Sequence, residues 1–347
     1  MPQAEAILLV RLDGVGDAAL CVPALEGLAC AFPQARFGAV CSPGNAALFS
    51  KRVERVHVYR AGQRAGELGR ELRDAGYMKA LIATEEVAGY ELARASGARE
   101  RAGFWHRLHK PFKSLWQRAQ LTAPVYRPAA QVKTAEHEVQ ALYRLAVALG
   151  AALPPPADGE RLRTWFEIEP SPPARSAAGA IGFQISPKLL GCAPVSAFAR
   201  AVQTTLATLR EPRGVLIASA ADENLARAIR SQMASGDGEL QVEVIASLPL
   251  VQWVGVLDAL AVLVTPDTGA AHVAGMLGRS VIDVFDAKDF KRLSAQWHPW
   301  AGSWRCHAKP SFTMPTDAET YGRFLASQIR ELRSNVRRDP APAHRTP

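Results

Sequence analysis

Apolar residues fall in short runs separated by amphipathic stretches, and this pattern occurs twice along the 347-residue chain. In the first half, Ala6–Val10 reads as a buried strand, followed by a glycine-containing turn and an apolar helix over Ala18–Phe32. Further strand-like runs lie at Arg36–Cys41, Arg55–Tyr59 and Lys79–Ala83, and a helix over Thr134–Leu149 closes the half. The second half begins with strand Ala180–Ile185, helix Ser196–Leu209, strand Gly214–Ala218 and helix Asp222–Met233. Strand Val242–Ile245, helix Leu250–Ala259, strand Ala261–Val264, helix Thr268–Leu277 and strand Ser280–Phe285 follow, with a terminal helix over Ala318–Val336. Strands alternating with helices of this length predict an α/β protein whose parallel sheets are covered on both faces. Two doubly wound domains of this kind, facing a central cleft, bind ligands at the C-terminal ends of their strands.

Residues 151–178 hold six prolines and little periodicity, so they read as a linker between domains at 1–150 and 179–336. Within that linker, Leu162–Ile168 is a candidate strand. The Pro-, Arg- and Asp-rich residues 337–347 read as a disordered tail. With 48% hydrophobic and 21% charged residues, the composition excludes a disordered or disulfide-stapled chain. No apolar stretch approaches the roughly 18–20 residues of a spanning helix. The Ala6–Val10 run is too short for a signal peptide and is followed by Arg11. The five cysteines lack metal-type spacing and read as reduced thiols, which places the chain in the cytoplasm as an expectation.

Charge is concentrated rather than spread. From Arg94 to Lys133 there are nine Lys/Arg and one acid, Glu100, a local excess of +8 that equals the net charge of the whole chain. The same window holds Phe104, Trp105, His106, His109, Phe112, Trp116 and Tyr126. Such a surface attracts anions, and Arg107, Lys110 and Lys113 are its candidates for binding one. A solvated basic face is the competing interpretation.

Two motifs carry candidate chemistry. The first, Arg11-Leu12-Asp13-Gly14-Val15-Gly16-Asp17-Ala18-Ala19, lies where a strand meets a helix N-terminus. Gly14-x-Gly16-x-x-Ala19 also fits the dinucleotide fingerprint, so an NAD(P)-dependent oxidoreductase is one alternative. Against it, the next strand ends in Val40-Cys41-Ser42, without the acid that holds a ribose, and Asp17 would crowd a pyrophosphate. A helix cap is the plain structural role for Asp17. The second motif, Thr265-Pro266-Asp267-Thr268-Gly269-Ala270-Ala271-His272, sits at another strand-to-helix junction, where free amides can meet a diphosphate.

With its GD pair and later Pro-Ala-Leu, Arg11–Leu25 (RLDGVGDAALCVPAL) resembles the start of glycosyltransferase family 9, the ADP-heptose lipopolysaccharide heptosyltransferases. The run TPDTGAAHVAGMLGRSVIDVF resembles that family's DTG-x-x-H-x-A segment. Weaker echoes lie at Arg101-Ala102-Gly103-Phe104, His137-Glu138-Val139 and Val242-Glu243-Val244. The resemblance implies a GT-B fold with two Rossmann-like domains. It also implies inverting, metal-independent transfer of a heptose or similar sugar from an ADP-sugar, with no cofactor beyond that donor. By the same resemblance Asp17 is the general base, Asp267, Thr268, Gly269 and His272 hold the donor diphosphate, and Glu243 meets the ribose. Asp13, Gly16, Arg107, Lys110 and Lys113 would face an anionic glycan or lipopolysaccharide-core acceptor in the N-terminal domain, with peripheral contact at the inner membrane and no nucleic acid. The family's usual Lys and Trp are replaced by Gly191 and Ala193, which leaves Lys188 as a substitute for the lysine. A nucleotide-sugar-binding member with weak catalysis is the second alternative.

Overall fold

The computed structural model describes residues 5–107, 111–128, 136–190, 193–211, 213–233, 240–312 and 315–338. They divide between Glu167 and Ile168 into two units, each built on one six-stranded parallel sheet. Strands β1 (Ala6–Arg11), β2 (Arg36–Cys41), β3 (Val53–Val58), β4 (Lys79–Ile82), β5 (Glu100–Trp105) and β6 (Ala123–Tyr126) form the first sheet, in the order β3-β2-β1-β4-β5-β6. Strands β7 (Ile181–Ile185), β8 (Arg213–Ala218), β9 (Gln241–Ala246), β10 (Val262–Pro266), β11 (Ser280–Phe285) and β12 (Trp304–Ala308) form the second, in the order β12-β11-β10-β7-β8-β9. Each sheet therefore reverses direction beside its first strand, and that point is where doubly wound sheets hold ligands.

β1 shows why continuous apolar runs became central strands. All six of its residues are buried, because helices cover both faces of a parallel sheet. Leu8, Val10, Ile82 and Tyr90 pack on one side of the first sheet with Leu72. The second core gathers Phe183, Val264, Ile282 and Val284 against Phe198, Val202 and Leu206. The terminal helix, Pro315–Arg338, adds Tyr321, Leu325, Ile329 and Leu332 to that same core.

Several elements differ from the pattern-based expectation. The helix expected over Ala18–Phe32 is two helices, Val15–Ala19 and Val22–Ala31, with Pro23 in the first turn of the second. Strands β5 and β6 and the helix Pro111–Gln120 occupy the basic window, where interleaved charges mask periodicity. β12 was also not visible as a strand, because its sequence WRCHA is only partly buried at an edge.

Residues 151–178 are built into the two units rather than spanning open space. The helix Gly159–Arg163 precedes Trp165, whose indole Nε1 donates to buried Glu26 at 2.9 Å. Arg52 and Arg161 reach the same carboxylate at 2.9 and 2.5 Å. Leu162 lies in that helix, so the only pairing in the candidate strand is an isolated antiparallel bridge between Phe166 and Phe49. The helix Pro172–Ser176, capped by Ser171, packs on the helix Leu250–Ala259 of the second unit. Of the expected tail, Arg337 and Arg338 end the terminal helix and residues 339–347 lie outside the described residues.

Candidate functional site

In the first unit, β1 ends at the point where the strand order reverses, and the first motif follows it directly. Arg11 closes the strand and is buried, a costly position for a cation unless acceptors surround it. Here they do. Its Nε lies 3.0 Å from Asp13 Oδ2 and its Nη2 lies 2.8 Å from Asp17 Oδ1, while Nη1 donates to the Ala83 carbonyl at the end of β4. Burial opposes the charge, but the surrounding acids outweigh it and raise the guanidinium above its ordinary range. Arg11 thus ties Asp17 to both central strands.

Asp17 is the third residue of the short Val15–Ala19 helix. Gly14 occupies the N-cap position, so Asp17 lies inside the first turn rather than at the cap. The Asp17 side chain is 37% exposed against 8% for Arg11, leaving its carboxylate open to an incoming group. Gly16 is buried inside the turn. Asn45, fully buried, was not singled out from the sequence. Its Nδ2 donates to the Asp13 carbonyl at 2.8 Å and fixes the loop. An asparagine four residues past a strand end gives no distinctive sequence signal.

The same sheet edge carries a charged cluster. Arg127 holds buried Glu138 through two bonds, of 3.1 and 2.6 Å. Burial raises the Glu138 carboxyl despite that partner. Glu85, 3.3 Å from His106, is held down at about 2 by that contact and by the charges of Arg127 and Lys113. Arg107 adopts a left-handed backbone, φ 52°, unusual for a residue with a side chain. Its guanidinium lies over the Tyr126 ring at 4.4 Å and the Trp105 ring at 5.7 Å. Lys113 lies in the Pro111–Gln120 helix, and Lys110 lies outside the described residues.

The second unit repeats this geometry. β7 and β10 flank its reversal point, and the loops after them meet: Lys188 Nζ donates to the Asp267 carbonyl at 3.3 Å. Lys309, from the loop after β12, donates to the Lys188 carbonyl and was not anticipated from sequence. Thr268, in extended conformation, is the N-cap of the helix Gly269–Met276; its hydroxyl pairs with Thr265 Oγ1 at 3.1 Å and does not cap the first-turn amides.

His272 lies one turn into that helix, buried, with Nε2 3.9 Å from Asp267 Oδ1. Burial, then the nearby His298 and Lys188, push its imidazole down to about 4, so it is neutral at pH 7. Burial also raises Asp267. Beneath this loop Asp283 is fully buried, and neither carboxylate oxygen has a hydrogen-bond partner among the described residues. Burial, then Asp267, push its carboxyl well above the usual range. Among the described residues no His, Cys, Asp or Glu cluster is arranged to hold a metal ion.

Glu243 is not brought to this edge. It pairs in register with Val215 and lies three residues before the end of β9, roughly 10 Å short of the strand ends at 3.3 Å per residue. Its carboxylate accepts from Ser176, in the helix that leads into β7. The acid at the C-terminal edge is Glu223, which opens the helix after β8. Ser247, just past β9, donates to it at 2.7 Å, and this bond together with Arg227 holds it below the usual carboxylate range. The signal in sequence was positional: Glu223 follows a strand end, whereas Glu243 lies within a strand.

Residues 204–321 match the family model described as glycosyltransferase family 9 (heptosyltransferase). No curated protein matches the chain. Among solved structures, E. coli heptosyltransferase WaaC with ADP is 19% identical, with TM-score 0.71, covering 94% of this chain and 99% of that one. E. coli ADP-heptose LPS heptosyltransferase II is 17% identical, with TM-score 0.68 and coverage of 94% and 99%. A family 9 glycosyl transferase from Veillonella parvula is 15% identical, with TM-score 0.68 and coverage of 94% and 97%. The fold common to them is GT-B, as the two end motifs implied. Residues 204–321 thus resemble glycosyltransferase family 9 (heptosyltransferase), and the chain as a whole has the GT-B fold of these structures.

Proposed function

We propose that the chain transfers a heptose, or a similar sugar, from an ADP-sugar to an anionic glycan such as a lipopolysaccharide core, with inversion and without a metal ion. The observation that carries this reading is Asp17, a partly open carboxylate beside the reversal point of its sheet, held there by buried Arg11. An inverting displacement needs one base to take the acceptor hydroxyl proton, and Asp17 has the position and the ionisable group for that task.

The leaving diphosphate needs compensating positive charge. The first-turn amides of the Gly269–Met276 helix supply it, with Thr268 and Gly269 at the contact and Lys188 as the cation. His272 contributes as a neutral imidazole and Asp267 orients Lys188 through its carbonyl. In this reading the ribose hydroxyls fall to Glu223 rather than Glu243, because Glu223 shares the strand-end edge with the diphosphate loop. Asp13, Gly16, Arg107, Lys110 and Lys113 take the acceptor.

The relatives named above as ADP-bound or ADP-heptose-specific support the donor class. An ADP-binding relative and an Asp in place of an open dinucleotide turn both weigh against the oxidoreductase alternative. The test is ligand-dependent melting followed by turnover. ADP or ADP-heptose raises the melting temperature and NAD(P)H does not, and mass spectrometry of candidate acceptors then finds the added sugar. Stabilisation by ADP-sugar without transfer to any acceptor would favour the weakly catalytic alternative.

A further inference from the structure

The helix Pro111–Gln120 is built inside out. Its inward face carries Ser114, Gln117 and Gln120, all buried, while Phe112 and Leu115 point to solvent at 88% and 65% exposure. Each inward polar side chain makes at least one hydrogen bond, although Gln117 Oε1 has no partner among the described residues. Ser114 Oγ accepts from the His106 amide at 2.9 Å and Gln117 Nε2 donates to the Glu85 carbonyl at 3.1 Å. Gln120 Oε1 accepts from Arg94 at 3.3 Å. The helix is therefore held by these hydrogen bonds and by Trp116, which packs against Tyr90, while Phe112 and Leu115 play no part in that attachment.

Phe112, Leu115 and Ala119 follow i, i+3, i+7 spacing and so form one stripe. Lys113 and Arg118 flank it, and Arg107 stands on the rings of Trp105 and Tyr126 just before the helix. Tyr126 is itself 39% exposed. An apolar ridge bordered by cations and amphipathic rings is the composition of a helix that lies in a membrane interface, with side chains among the acyl ends and charges among the head groups. A protein partner would be expected to meet a less uniformly cationic rim.

We propose that the outer face of this helix docks on an anionic phospholipid bilayer, with Phe112 and Leu115 inserted and Arg107, Lys113 and Arg118 on the head groups. This deepens the proposed acceptor reading by giving a lipid-borne acceptor a surface on the first unit, but its evidence is the helix alone. With two inserted side chains the association is weak, reversible and salt-sensitive.

The test is flotation of the full chain with vesicles of phosphatidylglycerol and phosphatidylethanolamine, and with pure phosphatidylcholine, at low and high salt and without donor or acceptor. The wild type binds the anionic vesicles at low salt. The double variant F112S/L115S binds about ten- to a hundredfold less, the loss expected for two partly inserted apolar side chains. Both side chains are exposed, so the variant keeps its fold, which an unchanged melting temperature and unchanged ADP binding verify. Absence of binding by the wild type overturns the proposal, and so does equal binding by F112S/L115S, which would mean that charge elsewhere suffices. Concentration-dependent self-association that F112S/L115S abolishes and vesicles do not compete for would assign the face to a second copy, and also overturns it. Because no transfer is read, failure here leaves the glycosyltransferase reading standing, and failure of transfer leaves this one standing.

Discussion

Replacing Asp17 by asparagine separates catalysis from structure, because the two roles predict changes of very different size. In the folded chain Asp17 meets Arg11 at 2.8 Å, but Arg11 also keeps Asp13 at 3.0 Å and the Ala83 carbonyl. Asparagine at position 17 retains an oxygen facing the guanidinium, so what disappears is one charge on a carboxylate that is 37% exposed. Partly exposed pairs contribute up to about 1 kcal/mol, which on a unit of this size lowers the melting temperature by about 2–4 °C. Loss of a general base costs far more, about 10²- to 10⁴-fold in kcat. The assay is ADP release under saturating ADP-sugar with an anionic acceptor, alongside calorimetric titration of ADP. Asp17→Asn should keep its ADP affinity, because the donor is assigned to the second unit, and lose turnover. Retention of turnover within about tenfold of wild type would falsify the assignment of Asp17 as base. Arg11→Met is the counterpart. It removes the buried cation and leaves Asp13 and Asp17, at 32% and 37% exposure, side by side without their shared partner, so this variant should lose stability as well as turnover.

Lys188→Ala should weaken ADP binding by about tenfold, as expected for a lost charge-assisted contact, and an unchanged Kd would remove Lys188 from the donor site. Glu223→Gln should raise the donor KM while Glu243→Gln leaves it unchanged, and the reverse result would restore Glu243. His272 supplies a pH dependence. Its folded value of about 4 lies below its ordinary 6.5, so the unfolded chain binds the proton more readily and stability is lost as pH falls through that window. The loss amounts to about 3 kcal/mol at 1.36 kcal/mol per unit. Calorimetry from pH 7 to pH 4 should show a flatter slope in His272→Gln than in wild type, and equal slopes would contradict the burial argument. Neutralising Arg107, Lys110 and Lys113 together should raise acceptor KM and reduce its salt dependence, and a KM indifferent to both changes would return this surface to a solvated role.

The sequence by itself determined the architecture and the placement of Asp17 and of the Asp267–His272 loop. Continuous apolar runs as short as Ala6–Val10 read as strands buried on both faces, and their alternation with helices leaves a parallel doubly wound sheet as the packing solution. Both motifs could be placed because each sits beside a strand end, and strand ends in such sheets face ligands. Only the tertiary structure decided which strand ends adjoin. Sheet order puts β1 beside β4 and β7 beside β10, so Arg11 reaches Ala83 and Lys188 reaches Asp267 across 72 and 79 residues of sequence. Register placed Glu243 inside a strand, away from its C-terminal end, since a local pattern of acid between valines carries no information about which end of a strand it occupies. Burial gave the linker its packing role. Trp165 and Glu26 are 139 positions apart, and no local pattern announces their hydrogen bond. The inverted helix could not be read in advance either, because the same alternation of Phe, Leu, Ser and Gln fits either face, and the hydrogen-bond partners that choose the face come from distant strands.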